Sequence, residues 1–166
     1  MASLLRNLSA TLLVCLVLLP GAAPADEAEN GIANPLSEDL APDPAWSPEE
    51  VVRIQLEALR SNDQRNRGIE VAFRFASPAN RRHTGPLWRF TGMIRNGPYA
   101  LMLDFNAASY GPVESSGAQA RQRVILADAT TSVTYWFYLS RQTEAPYADC
   151  WMTDAVFVEP IEGHAA

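Results

Sequence analysis

Residues Val133–Gln142 read VTYWFYLSRQ. With the side-chain alternation of a β-strand, Val133, Tyr135, Phe137 and Leu139 share one face. Thr134, Trp136, Tyr138 and Ser140 share the other. A strand of an antiparallel sheet usually keeps one face in water and one in the core. This one offers aromatic rings to both sides, so its second face needs a cover: a partner sheet, a ligand or a flanking helix.

Working outward, Cys150–Glu159 (CWMTDAVFVE) alternates in the same way and predicts a last strand, closed by Pro160. Upstream, Ala118–Asp128 alternates as well, with Val124 and Leu126 opposite Arg121, Arg123 and Ile125. Tyr99–Phe105 (YALMLDF) also fits period two and predicts the first strand. Between them, Gly111-Pro112 and Ser115-Ser116-Gly117 read as turns.

Before Tyr99 the period is helical. Ser47-Pro48-Glu49-Glu50 carries a capping box with proline in the first turn, and predicts a helix to about Ser61. Val51, Val52, Ile54, Leu56, Ala58 and Leu59 form its apolar face. Gln55 projects from the middle of that face, and a buried amide needs partners. It either bonds a neighbouring backbone or lines a pocket. Gly68–Phe75 predicts a short helix ended by Ser77-Pro78, Asn80–Gly85 a loop, and Pro86 the start of a third helix that turns Trp88 outward. Helices first and an antiparallel meander after them make an α+β domain. The expectation is N-terminal helices packed on a curved sheet of about four strands, with room for a cavity between helix and sheet.

The chain has 166 residues and a net charge of −6, and its 13 basic residues are all arginine. The acidity collects in residues 26–46, which hold no base and are broken by Gly31, Pro35, Pro42 and Pro44. That composition predicts a disordered linker. From Ser47 onward the charges nearly balance, which gives no basic face for nucleic acid. Residues 1–25 carry Arg6, the apolar run Ala10–Leu19 and an Ala23-Pro24-Ala25 cleavage pattern. Together these predict a secretory signal peptide, hence export to the periplasm or beyond and no stable membrane insertion after cleavage. Cleavage would remove Cys15 and leave Cys150 alone, without an internal disulfide. Residues 47–160 form the expected domain and 161–166 a loose tail.

Candidate chemistry is sparse. An enzyme working by proton abstraction needs a carboxylate in an apolar cavity and a donor aimed at the developing oxyanion. Asp104 and Asp154 are the strand carboxylates available, beside Tyr135 and Tyr138. An outward, solvated Asp is the plainer reading of each, because alternation alone does not say which face is inside. Trp136 and Tyr138 line a pocket if they point inward, and suit a homodimer interface through the sheet if they point outward. Arg81, Arg82 and His83 precede a helix start and are candidates for an anion site, against a plain solvated loop. No second His or Cys stands at ligand spacing from His83, so neither metal nor cofactor is expected. Cys150, next to Asp149, reads as structural.

The ordered segments SPEEVVRIQLEAL, AFRFASPANR, VTYWFYLSRQ and CWMTDAV resemble the family filed as domain of unknown function 4864, over about Trp46–Val158. That family looks like a member of the NTF2-like, cystatin-like cone superfamily. The resemblance implies a helix-and-sheet cone. It implies no single activity, because the superfamily holds isomerases, dehydratases, polyketide cyclases, transport factors and binding modules. No catalytic set of the superfamily aligns with residues of this chain. The expectation is an exported, non-catalytic module that binds a small apolar or amphipathic ligand in its cone, or a protein partner through its sheet. The alternatives are an isomerase- or dehydratase-type enzyme with an inward Asp as general base, and a purely structural dimerisation domain.

Overall fold

The computed structural model describes residues 34–159. The expected signal peptide, the first part of the expected linker and the C-terminal tail lie outside them. Among the described residues, four α-helices and a 3-10 helix precede a four-stranded antiparallel sheet of order β1-β2-β3-β4, an α+β arrangement. No described helix is long and apolar enough to cross a membrane.

Helix α1 (Pro48–Arg60) starts as its sequence dictates. Ser47 N–H donates to Glu50 Oε2 at 2.7 Å, and Glu50 N–H donates back to Ser47 Oγ at 3.3 Å. Its face of Val51, Val52, Ile54, Leu56, Ala58 and Leu59 is buried. Against it lie the inward residues of β2 (Gln119–Ala127), Val124 and Leu126, and of β3 (Ser132–Arg141), Tyr135, Phe137 and Leu139. Each such side chain taken fully out of water contributes about 1.5–3 kcal/mol. Helix α2 (Arg67–Arg74) lies against α1 and adds Ile69, Val71 and Ala72 to the core.

Three local predictions fail, each for a physical reason. Tyr99–Phe105 is not a strand. Gly97–Leu103 is a 3-10 helix with Pro98 in its first turn. The same residues fit period three, and Tyr99, Met102 and Phe105 face the core in that spacing. Asp104 therefore sits just past a helix, exposed, and not on a strand.

The first strand is instead β1 (Ala107–Ser116), which runs straight through Gly111-Pro112. A register shift between Tyr110 and Val113 takes up the pair, and β1 is an edge strand, where proline costs no ladder bond. Ser77-Pro78, read as a stop, is also a start: Ser77 Oγ accepts from Asn80 N–H at 3.1 Å and caps α3 (Pro78–Thr84). Helix α4 (Leu87–Arg95) follows, with Phe90 and Ile94 buried and Trp88 75% exposed.

From residue 34 on, the expected linker is fastened to the domain. Leu40 and Trp46 pack against the core, and the Arg74 guanidinium donates to the carbonyls of Glu38 and Leu40 at 2.6 and 2.9 Å. The composition of this segment resembles disorder, but the half-buried Arg74 guanidinium bonds several of its carbonyls.

The outer face of β3 answers the question its sequence raises. Trp136 lies opposite Phe157 of β4 (Trp151–Val158), and Tyr138 meets Phe157 edge-on at 5.6 Å between ring centroids. The Arg121 guanidinium covers Trp136 at 5.0 Å. The described helices leave this face uncovered, with Phe157 59% and Tyr138 36% exposed.

Candidate functional site

A cavity of about 220 Å³ lies on the core side, between α4, the 3-10 helix and β4. Phe90, Met93 and Ile94 of α4 form one wall, and Tyr99 and Met102 of the 3-10 helix another. Leu59 and Phe137 bound it from α1 and β3. Ala72 and Ala76, at the end of α2 and just after it, place only methyl groups on its lining. The space is below the roughly 300–1,000 Å³ of drug-sized ligand pockets, so it suits a single ring or a short branched chain.

Gln55 lines this cavity and is also bonded. Its Nε2 donates to the Ala72 carbonyl at 3.0 Å, and its Oε1 accepts from Thr153 Oγ1 at 2.6 Å. Thr153 in turn bridges to Ala76: its N–H donates to the Phe75 carbonyl at 2.9 Å, and its own carbonyl accepts from Ser77 N–H at 2.8 Å. Asn80 Nδ2 donates to the same carbonyl at 3.0 Å. One amide thus ties α1, α2 and β4 together where the cavity meets the core.

Register shifts by one residue between Tyr138 and Leu139, because Tyr138 faces Ala155 while Leu139 faces Thr153. The extra residue of β4 is Asp154, half-buried and part of the cavity lining. His83, Asn80 and Thr84 of α3 line it too. Tyr99 also lines it, but its hydroxyl donates to the Val156 carbonyl at 3.0 Å. Among the described residues, Asp154 has no hydrogen-bond or ion-pair partner, and no ion pair joins it to His83. Tyr135 stacks on Tyr99 at 6.4 Å and donates to the Pro98 carbonyl at 2.7 Å, and burial pushes its pKa up to about 12. Such a phenol is a hydrogen-bond donor and not a base.

The other candidates lie elsewhere. Trp136 and Tyr138 are on the outer face, since Tyr135, Phe137 and Leu139 take the core side. Alternation defines the two faces without saying which is buried. Asp104 is outside the cavity. The Arg81 guanidinium sits 5.1 Å from the Tyr147 ring and 6.0 Å from the Phe73 ring. Arg82 borders the shallow open depression beside those rings. Cys150 is buried, and desolvation, then Asp43 and Asp149, push its thiol pKa up, opposite to the activation of a nucleophile. Among the described residues no group of His, Cys, Asp and Glu is placed to hold a metal.

Sequence reasoning missed the part played by Tyr99, Asn80, His83 and Thr153. The local sequence predicts a loop at Asn80 and His83 and a strand at Tyr99, whereas they lie on α3 and the 3-10 helix. Two sequence signals do fall in the lining: the polar position of Gln55 within an apolar face, and Asp154 among the candidate inward carboxylates.

No match was found among curated proteins or among solved structures. A family match does cover residues 45–166, from the entrance of α1 through every element that lines the cavity, and the chain belongs to the family described as Domain of unknown function (DUF4864).

Proposed function

We propose that this chain is an exported module that binds a small apolar or amphipathic molecule in the cavity between α4, the 3-10 helix and β4, without transforming it. The observation that carries this reading is the division of labour in the cavity lining. Its bulk is apolar, and the amide of Gln55 and the hydroxyl of Tyr99 are already committed to the fold's own carbonyls. A proton-transfer site wants an acid and a base converging on one point; the one half-buried carboxylate of the lining has no paired donor among the described residues. The helix-over-sheet arrangement fits the NTF2-like cone that the sequence resemblance implies. The leader pattern of residues 1–25 supports export.

Native mass spectrometry of the mature protein, purified gently from its own host, tests the reading. A retained mass of one to a few hundred daltons, lost on denaturation, is the expected result. A ligand-free spectrum together with no binding of small aromatic probes overturns it.

A second reading has its own observation. Trp136, Tyr138 and Phe157 form a contiguous aromatic patch on the outer sheet face, rimmed by the pairs Arg121–Glu114 and Arg123–Glu159. An apolar centre with a mixed-charge rim suits a second copy of the same face. Sedimentation of wild type and Phe157→Arg separates a dimer, which the substitution would break, from a monomer.

A further inference from the structure

We propose, resting on the small-ligand reading, that the cavity selects a molecule with a cationic head, a protonated amine on a small apolar body, with Asp154 as the residue that receives the head. The lining carries one carboxylate and no arginine, although all 13 basic residues of the chain are arginine. Of the arginines on nearby elements, Arg82 and Arg89 are exposed and outside the lining, and three others are committed elsewhere. Arg74 donates to the carbonyls of Glu38 and Leu40, Arg81 stacks on Tyr147, and Arg95 donates to Asn66 Oδ1.

The carboxylates tell the same story from the other side. Glu49, Asp63, Glu114 and Glu159 are paired with Arg53, Arg67, Arg121 and Arg123. Glu50 and Asp128 accept backbone N–H groups at a helix cap and a turn. Asp154 has no such partner among the described residues; Glu57, Glu70 and Asp104 have none either, but of these four only the half-buried Asp154 lines the cavity. A carboxylate beside an apolar wall attracts a cation and repels an anion that enters the cavity. His83, also part of the lining, is exposed, so solvent and salt screen its field. A fatty acid or other carboxylate would meet Asp154 with no arginine to neutralise it. An amine would meet a preformed counter-ion.

The test compares three probes with the same ring and different heads: phenethylammonium, phenethyl alcohol and hydrocinnamate. Each is titrated into the full chain at neutral pH and low salt, with affinity read by calorimetry and by ligand-detected NMR. The ammonium is expected to bind about tenfold or more tighter than the carboxylate, with the alcohol between them. In Asp154→Asn, a change of charge at nearly constant shape, the ammonium and the carboxylate should converge to within about twofold while the alcohol is unaffected. Equal or tighter binding of hydrocinnamate overturns the proposal, as does an ammonium preference that survives Asp154→Asn. If the alcohol binds and the heads are not distinguished, the head-group assignment alone falls. If none of the three binds, the small-ligand reading falls with it.

Discussion

Thr153 Oγ1 donates to Gln55 Oε1 at 2.6 Å across 98 residues of sequence, and the pair is buried between α1 and β4. The same amide donates to the Ala72 carbonyl, and the same threonine holds the Phe75–Ser77 segment by two backbone bonds. This junction fixes the distance between the helical layer and the edge of the sheet, and the cavity is the space left beside it.

Removing the amide should therefore cost more than a surface change. In Gln55→Leu the shape is roughly kept, but the Thr153 hydroxyl and the Ala72 carbonyl lose their partner inside the core. The expected destabilisation is about 2–4 kcal/mol, from two buried polar groups left unmade. Urea unfolding measures it, and Thr153→Val completes a double-mutant cycle. The double variant should cost less than the two single changes added together. Strict additivity would mean that the hydrogen bond contributes nothing as a pair.

The alkaline limb of stability should report Tyr135. Burial raises its pKa to about 12 from an ordinary value near 10. The folded state holds this proton more tightly than the unfolded state. The contribution is thus complete below about pH 10 and is lost as pH rises through about 12, worth about 2–3 kcal/mol in total. Burial raises Tyr110 and Cys150 in the same direction. The chain has no lysine to confuse the titration. Tyr135→Phe should flatten the fall in unfolding free energy between pH 10 and 12 relative to wild type, as read by guanidinium titrations at each pH. An unchanged slope would show that the Tyr135 proton is not the one lost.

Gly68 sets how closely α2 approaches α1. A Cβ built there would collide with the Ala58 carbonyl oxygen, which is helix backbone and has no rotamer to escape into. Gly68→Ala usually gains helix propensity, by about 1 kcal/mol in an open helix. Here the clash should reverse the sign and destabilise by roughly 1–3 kcal/mol. Gly92, with open space around it in α4, is the internal control, and Gly92→Ala should be neutral or stabilising. Equal behaviour of the two variants in thermal unfolding would contradict the close approach.

How much of this was legible depended on whether the signal was local. The capping box of Ser47 and Glu50 and the apolar face behind it are interactions within one turn, and they can be read directly. The strands β2, β3 and β4 show in their alternation. YALMLDF misleads because periods of two and three both satisfy so short an apolar run, and only packing of Tyr99, Met102 and Phe105 against the core decides between them. Strand β1 was hidden by Gly111-Pro112, which an edge strand with a shifted register tolerates. In the site, Gln55 stood out as a polar residue within an apolar face. Its partner Thr153 did not, because nothing local marks a bond across the whole domain. Asp154 and Asp104 were alike in sequence. An extra residue in β4 puts one beside the cavity, and a helix end puts the other in water.

Arg74 offers a last test, because it explains why an acidic, proline-broken segment is fastened at all. Its guanidinium donates to the Glu38 and Leu40 carbonyls, and Leu40 and Trp46 then pack on the core. Arg74→Met keeps much of the apolar stem and removes the donors. The carbonyls it served are near the surface, so water replaces part of the loss and the global cost should be only about 1–2 kcal/mol. The local effect should be larger. Limited proteolysis and hydrogen exchange should show cleavage and exchange within 34–46 rising by about tenfold or more, while α1 and β3 stay protected. If protection of that segment is unchanged, the packing of Leu40 and Trp46 holds it and the arginine is incidental. If α1 loses protection together with it, the segment is an integral part of the core and not an attached strap.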